Sequence, residues 1–404
     1  MTDGRSGRPG VRAGAGAMPG GGPAAPHGGV LVDRLLSEGP DREHEAAARR
    51  PSIRLEAAAE THLENLATGV LSPLTGFMDR ETALTVARTG RLPGGLPWTI
   101  PILLPVAEGE SSRLRTGDTA GLVGVDGELA GWLWVREVFT LEPSEWIGDV
   151  FGTNDPAHPG VRRAFTQGTR FVAGDVMATR LRDLPGRVVP RETRRLFAEH
   201  NWRTVAAFQT RNIPHRGHEF VQRWSLSVTD GLFLSPVIGR KKAGDFRDEV
   251  IVAAYRTLAG SYFSANRVAL GTIAYEMAYA GPREAIHHAI IRKNYGATHF
   301  LVGRDHAGVG SYYGPYDAQE LFSRSYPDLG ITMLPMREVQ LCTTCGGYVA
   351  QDTCPHAGQD VVHLSATAIR KMLEDEPNHP ALAQMLRAEV AATIRQFADP
   401  VVTD

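Results

Sequence analysis

Cysteine is nearly missing from this 404-residue chain: three residues, all between positions 342 and 354. An odd number at such close spacing argues against a disulfide framework and for a reducing compartment, with the cytoplasm as the expected location. Net charge is nearly absent too. The 43 Lys and Arg against 45 Asp and Glu leave −2, so no global field draws the chain to nucleic acid or to an anionic membrane, and any anion binding must be local. No apolar run reaches the ~18–20 residues of a membrane span. The opening stretch, MTDGRSGRPGVRAGAGAMPGGGPAAP, lacks the apolar segment of a secretory signal. Its Gly, Ala and Pro cannot bury enough apolar surface to offset the entropy of ordering, so residues 1–26 read as a disordered tail. Neither a GxxxxGK[ST] loop nor a GxGxxG after a strand occurs, which removes two Gly-rich nucleotide cradles. No candidate nucleophile stands out.

What is there is long enough for two or three domains. From about Val30 to Pro190, short apolar runs are broken by Gly and Pro: Trp98–Leu104, Thr119–Val125 and Leu129–Val135. Runs of this kind predict a β-rich, barrel-like domain over 27–190, with one helix near Arg80–Arg91. From about Arg191 the texture changes. Strands are expected at Thr204–Phe208, Gly231–Ile238, Arg267–Ile273, Thr298–Val302 and Ile331–Leu334, alternating with helical patterns at Gly217–Thr229, Phe246–Leu258, Pro282–Asn294 and Asp317–Ser325. In the third helix Ile286, Ala289 and Ile290 form an apolar stripe, with Arg292 and Lys293 as a basic shoulder. This rhythm implies a mainly parallel, doubly wound α/β sheet over 191–339, whose ligands bind beyond the carboxyl ends of the strands. Residues 340–404 are expected to be helical after the cysteine cluster, with helices at Ala366–Leu373, capped by Ser365, and Pro380–Phe397.

The chemistry concentrates at two strand ends. FQTRNIPHRGHEF, from Phe208 to Phe220, crowds two arginines, two histidines and the amides Gln209 and Asn212 where a strand hands over to a helix. Gly217 lets the backbone approach a ligand, and the helix start offers free N–H groups and a positive dipole end. His215 and His218 share the first turn as donors to phosphate oxygens, while Arg211 supplies a planar fork for an anion. VGRDHAGVG, from Val302 to Gly310, repeats the logic with Arg304, His306 and the small residues Ala307 and Gly308. A solvated surface turn and an Arg304–Asp305 pair are the plain alternatives. Two anion-competent loops on neighbouring strand ends, without a nucleophile, fit positioning and charge neutralisation for in-line transfer at phosphorus.

The first of these stretches resembles the QTRN-x-x-H-x-x-H signature of the ATP sulfurylase (sulfate adenylyltransferase) family, and EMAYAGPREAIHHAIIRKNYGATHFLVGRDHAGVG resembles that family's second block almost throughout. PHGGVLVDRL, LATGVLSPLTGFMDR, FGTNDPAHPGV and VIGRKKAGDFRDEV extend the resemblance from about Pro26 to at least Arg370. It implies an N-terminal PUA-like β-rich domain, a Rossmann-like HxGH nucleotidyltransferase catalytic domain and a small C-terminal helical and zinc-bearing region, with no fused adenylylsulfate kinase domain. The implied reaction converts ATP and sulfate into adenosine 5′-phosphosulfate and pyrophosphate, with Mg²⁺ accompanying ATP and a homo-oligomer as the expected assembly. By the same resemblance Gln209, Arg211 and the backbone of Ala307 hold sulfate. Thr210, Arg211 and Asn212 form the reactive turn, which with Gln209 also meets ATP, and His215 and His218 bind the phosphates. Gly303, Arg304, Asp305 and His306 line the nucleotide, and Ile331 contacts the adenine side.

Two positions depart from the family pattern: Ala278 stands where an arginine is usual, and Ala366 where Gly is usual between Ser365 and Thr367. The first removes a cation near the expected site. LCTTCGGYVAQDTCPH offers Cys342, Cys345, Cys354 and His356 as a closed tetrahedral Zn²⁺ site, structural rather than catalytic, with His363 as the alternative fourth ligand. Rival readings are another HxGH nucleotidyltransferase with a different anionic acceptor, or a catalytically silent nucleotide-binding homologue. A nucleic-acid-binding zinc protein fits least, given the charge balance and a single CxxC.

Overall fold

The computed structural model describes residues 22–36, 51–241, 243–356, 360–364, 366–376 and 379–403. Most of the expected tail (residues 1–21), Lys242 and the expected helix cap Ser365 lie outside the described residues. No helix among the described residues is long and apolar enough to cross a membrane.

Among the described residues the N-terminal sheet has five strands: β1 (Ser52–Arg54), β2 (Gly76–Phe77), β3 (Thr119–Val123), β4 (Leu129–Thr140) and β5 (Arg170–Ala178), in the order β1-β3-β4-β5-β2. The helix expected near residue 80 runs Arg80–Thr89, started by Asp79, whose side chain accepts from the Thr82 N–H, and ended by Gly90 in the left-handed region. Trp98–Leu104 forms no strand, contrary to expectation. Pro97, Pro101 and Pro105 remove the donors a ladder needs. Its apolar side chains are nonetheless buried, and its carbonyls serve neighbouring segments: Ile102 O accepts from Met78 N, just after β2, and Leu104 O from Val172 N in β5, each at 3.0 Å.

The second sheet contains β6 (Val205–Thr210), β7 (Gly231–Ile238), β8 (Val268–Leu270), β10 (His299–Val302) and β11 (Thr332–Pro335), ordered β11-β10-β6-β7-β8 and parallel throughout, with β9 (Ile273–Ala274) extending beside β7. The expected strand Arg267–Ile273 is split because Thr272 turns away, its N–H to Gly186 O and its hydroxyl to Pro185 O. The chain builds outward from β6 through β7 to β8, then returns to the other side of β6 with β10. The switch point therefore lies between β6 and β10, and both motifs leave the sheet at the carboxyl ends of these two strands.

Helix Pro282–Asn294 is buried on ten of its thirteen residues. The expected basic shoulder is not one: Arg292 is fully buried, and Lys293 is half-buried, donating to Leu329 O at 2.8 Å. This helix lies between the N-terminal domain and the parallel sheet, and one continuous core runs from Ile53 and Phe77 through Trp98 to Ile286 and Phe300. Asn294 ties the two parts together, donating to Val70 O and Ser72 O at 3.0 Å each and accepting from His27 N at 2.8 Å. The other face of the sheet packs a second core under helices Arg216–Leu226 and Asp248–Tyr262.

The C-terminal region is less helical than expected. An antiparallel sheet of β12 (Val339–Cys342), β13 (Gly347–Ala350) and β14 (Val361–His363), with β12 central, carries the cysteine cluster. Helix Ala366–Asp375 follows. The single helix expected over Pro380–Phe397 is two, Pro380–Met385 and Ala388–Ile394, because Leu386 and Arg387 are extended. That break lets Arg387 grip both oxygens of Glu219 at 2.8 and 2.7 Å, a bidentate pair with a carboxylate buried on helix Arg216–Leu226.

Candidate active site

Strand β6 ends in a tight turn in which the Thr210 hydroxyl accepts from Asn212 N at 3.1 Å. His215 then caps the helix: its Nδ1 accepts from His218 N at 3.2 Å, so the ring proton sits on Nε2. The two rings stack with centroids 3.6 Å apart, and Phe208 closes on His218 edge-on at 5.1 Å. Burial holds His215 down to about 4 and His218 well below the ordinary value. Both are neutral near pH 7 in this state, donors rather than cations. Gly217 has a packing reason as well: a Cβ there would lie 2.4 Å from Leu364 Cδ1 and 3.1 Å from the His215 ring.

Across the switch point, Asp305 and Ala307 hold left-handed backbone, with φ of 50° and 60°. For non-glycine residues this costs on the order of 1–3 kcal/mol each, a strain that clusters at ligand sites. The loop is tied down by Asp305 N to Pro315 O at 2.7 Å and Gly281 N to Ala307 O at 3.1 Å. Burial raises the Asp305 carboxyl above its usual range. His306 is half-buried against His288 and is held down to about 3, chiefly by desolvation. Its Nε2 lies 3.1 Å from His288 Nδ1, and the same Nδ1 lies 2.8 Å from the Gln209 amide, so the two loops meet over one buried ring. Arg304 pairs with Glu338 at 3.5 Å rather than with Asp305.

Arg211 is held at 3.2 Å by Asp245, from the loop after β7, and donates to the Tyr279 hydroxyl while lying over that ring at 5.3 Å. Ala278 is half-buried, its N–H donating to Glu284 at 2.7 Å. Ile331 is not brought to the site. It precedes β11, and parallel pairing of Thr332 with His299 puts it at the amino end of the strands, opposite both loops. Met336, whose N–H donates to Val302 O at 2.9 Å, is at the correct end.

The family model described as ATP-sulfurylase matches residues 186–397, and one described as a PUA-like domain matches 24–181. A sulfate adenylyltransferase of Hyperthermus butylicus is 47% identical over 383 residues, spanning 93% of this chain and 97% of that one. The chain belongs to the ATP-sulfurylase family. Among other relatives, a sulfate adenylyltransferase of Symbiobacterium thermophilum is 44% identical over 92% of this chain and 97% of its own length. A solved structure described as a hexameric APS kinase from Thiobacillus denitrificans shares the fold at a TM-score of 0.71 and 22% identity, covering 93% of this chain and 69% of that one.

This member of the ATP-sulfurylase family also carries a candidate metal centre. The ligand atoms of Cys342, Cys345, Cys354 and His356 all lie within 4.8 Å of one another. Sulfur–sulfur separations are 3.5 Å for Cys345–Cys354 and 3.6 Å for Cys342–Cys354, and His356 Nδ1 is 3.7, 3.4 and 3.5 Å from the three sulfurs in chain order. A tetrahedral ion about 2.3 Å from each sulfur spaces its ligands about 3.8 Å apart, so the set fits a metal. His363 is engaged elsewhere, 3.1 Å from Glu338 Oε1, which leaves His356 as the fourth ligand.

Sequence reasoning passed over Asp245, Tyr279, Glu284 and His288. A signal existed for the last two: Glu284, His288 and Arg292 recur every four residues beside the apolar stripe of Ile286, Ala289 and Ile290, polar groups that burial obliges to find partners. One prediction follows from the desolvated histidines. His27 and His215 are held to about 4 and His306 to about 3, all chiefly by desolvation, from an ordinary 6.5. The unfolded chain therefore binds more protons below pH 6.5, so this contribution is fully present above 6.5 and lost as pH falls toward the folded values. The melting temperature should drop steeply between pH 6.5 and 4; a flat profile across that window would refute the burial of these rings.

Proposed function

We propose that the chain makes adenosine 5′-phosphosulfate and pyrophosphate from ATP and sulfate, sulfate attacking the α-phosphorus directly and in line. The observation that carries the site assignment is the convergence of Gln209 and His306 on one buried ring, beside the paired neutral histidines of a helix start. In this reading Gln209, Arg211 and the Ala307 backbone receive sulfate, and Arg211 leaves Asp245 for the incoming anion. His215 and His218 donate N–H groups to the triphosphate and to the charge that develops as the α–β bridge breaks. Thr210, Arg211 and Asn212 shape the turn where the two anions meet. Gly303, Arg304, Asp305 and His306 border the nucleotide, with Met336 in place of Ile331 at the rim. Mg²⁺ arrives as the counter-ion of ATP and lowers the repulsion between the two polyanions. Sulfate-dependent exchange of labelled pyrophosphate into ATP tests the proposal.

The wider reading keeps the domain limits of 27–190, 191–339 and 340–404, a homo-oligomer, and a reducing compartment such as the cytoplasm, which suits a site built from three free thiols. Zn²⁺ is the metal that Cys342, Cys345, Cys354 and His356 fit best, and with four protein ligands it supplies folding free energy rather than chemistry. Cys345→Ser should release one Zn²⁺ per chain and lower the melting temperature, while turnover measured well below that temperature stays within a few-fold of wild type. Metal analysis of protein purified without chelator that finds no zinc would remove the idea.

A further inference from the structure

We propose that His158, in the N-terminal domain, is a positioning residue for Arg211: it holds Tyr279 in the left-handed backbone conformation that keeps the Tyr279 side chain on the guanidinium. This rests on the reading of Arg211 as a sulfate contact.

Tyr279 lies between β9 and helix Pro282–Asn294. Its hydroxyl accepts from Arg211, whose guanidinium lies over its ring at 5.3 Å. Asp245 holds the same guanidinium at 3.2 Å, but a carboxylate competes with an incoming anion, whereas a neutral phenol carries no charge to repel one. Tyr279 is therefore the contact that can stay when Arg211 turns to sulfate. Its place requires a φ of 62°, which crowds the Cβ against the backbone. A residue in that region stays there only where its surroundings hold it.

One group from each domain does so. Glu284 accepts from Ala278 N at 2.7 Å and from Ala280 N at 3.1 Å. From the N-terminal domain, His158 Nε2 lies 3.0 Å from Tyr279 O. The peptide joining Tyr279 to Ala280 is thus gripped at both its N–H and its C=O. Partners that cannot exchange roles fix the direction of the histidine bond. His158 begins helix Pro159–Thr166, where its Nδ1 accepts from Gly160 N at 3.1 Å and Val161 N at 3.3 Å. Backbone amides only donate and a carbonyl only accepts, so the proton sits on Nε2. Burial of the ring pushes its pKa down and leaves it that single proton. The Tyr313 hydroxyl, 3.2 Å from Nε2, gives its own hydrogen to Phe151 O at 2.9 Å and is a second acceptor toward the ring. The N-terminal domain in this way acts on the anion site from a buried position: from helix cap to peptide plane, and from there to Arg211.

The test is steady-state kinetics on His158→Asn and His158→Gln, with His158→Asn repeated in a Tyr279→Ala background, all well below the melting temperatures. Asparagine keeps a capping oxygen near the place of Nδ1 but has no donor that reaches Tyr279 O. It should raise the KM for sulfate about tenfold, the scale of one lost hydrogen bond, with the KM for ATP changed less than about twofold. Glutamine, whose amide reaches the place of Nε2, loses the cap but should restore most of the sulfate affinity. In the Tyr279→Ala background His158→Asn should add nothing, because its effect passes through that side chain. If the asparagine variant does not fold, Tyr279→Phe tests the second link by itself: without the hydroxyl the KM for sulfate should rise. An unchanged sulfate KM in His158→Asn or Tyr279→Phe, a parallel rise in the two KM values, an equal rise in both backgrounds, or no recovery with glutamine overturns the proposal. An Arg211→Ala variant with the wild-type KM for sulfate overturns instead the reading of Arg211 on which it stands.

Discussion

Labelled pyrophosphate should exchange into ATP when sulfate and Mg²⁺ are both present, and not above background when sulfate is withheld. The expectation follows from the side chains gathered at the site. Exchange without sulfate needs an adenylyl-enzyme, and that needs a protein nucleophile beside a base. The one hydroxyl in the reactive turn, that of Thr210, is occupied as an acceptor from Asn212 N at 3.1 Å. The remaining groups are donors and a guanidinium: Gln209, Arg211, His215 and His218. Such a set can align two anions and lower their repulsion, which supplies orientation and charge stabilisation without a covalent step. Exchange at full rate without sulfate would place the chemistry on a protein group and end the direct-attack mechanism.

His218→Ala should lower turnover roughly a hundredfold or more, because loss of one donor to developing oxyanion charge costs on the order of 2.7–4 kcal/mol. The fold should survive, since the His218 ring packs on Phe208 and His215 at the edge of the second core. His215 has a double role. Its Nδ1 caps the helix by accepting from His218 N, which leaves its Nε2–H as the donor. His215→Ala should thus lose activity to a similar extent and also about 1 kcal/mol of stability, the usual worth of a cap. His215→Asn separates the two, keeping a capping oxygen while losing the distant donor: melting temperature near wild type, turnover still depressed. Wild-type turnover in His218→Ala and His215→Asn would make the motif a surface turn.

Much of this site was legible in one dimension, and the reason is local. The strand-to-helix handover, the helix start at the histidines, and the limits of Gly231–Ile238, Pro282–Asn294 and Asp317–Ser325 depend on residues within a turn or two of one another. Apolar periodicity reports such elements directly. It failed where another constraint overrides the local pattern. Prolines turned the apolar run Trp98–Leu104 into buried coil. The last helical stretch breaks at Leu386 and Arg387, where Arg387 meets Glu219, 168 residues away. The sheet that carries the cysteines was hidden because its strands, Val339–Cys342, Gly347–Ala350 and Val361–His363, are too short to show an alternation.

By itself, then, the sequence determined the α/β architecture, the two candidate anion loops, the three cysteines of the candidate metal centre and the family. These rest on residue types at fixed short spacings. Tertiary structure alone decided the rest. It put both loops at the switch between β6 and β10, sent Ile331 to the wrong end of the sheet, and buried Arg292. It neutralised the histidines by desolvation and set His288 under Gln209, 79 positions away in the chain. A hydrogen bond of that kind depends on sheet order and strand register, which no local window contains. A depressed pKa depends on how much water the whole fold excludes.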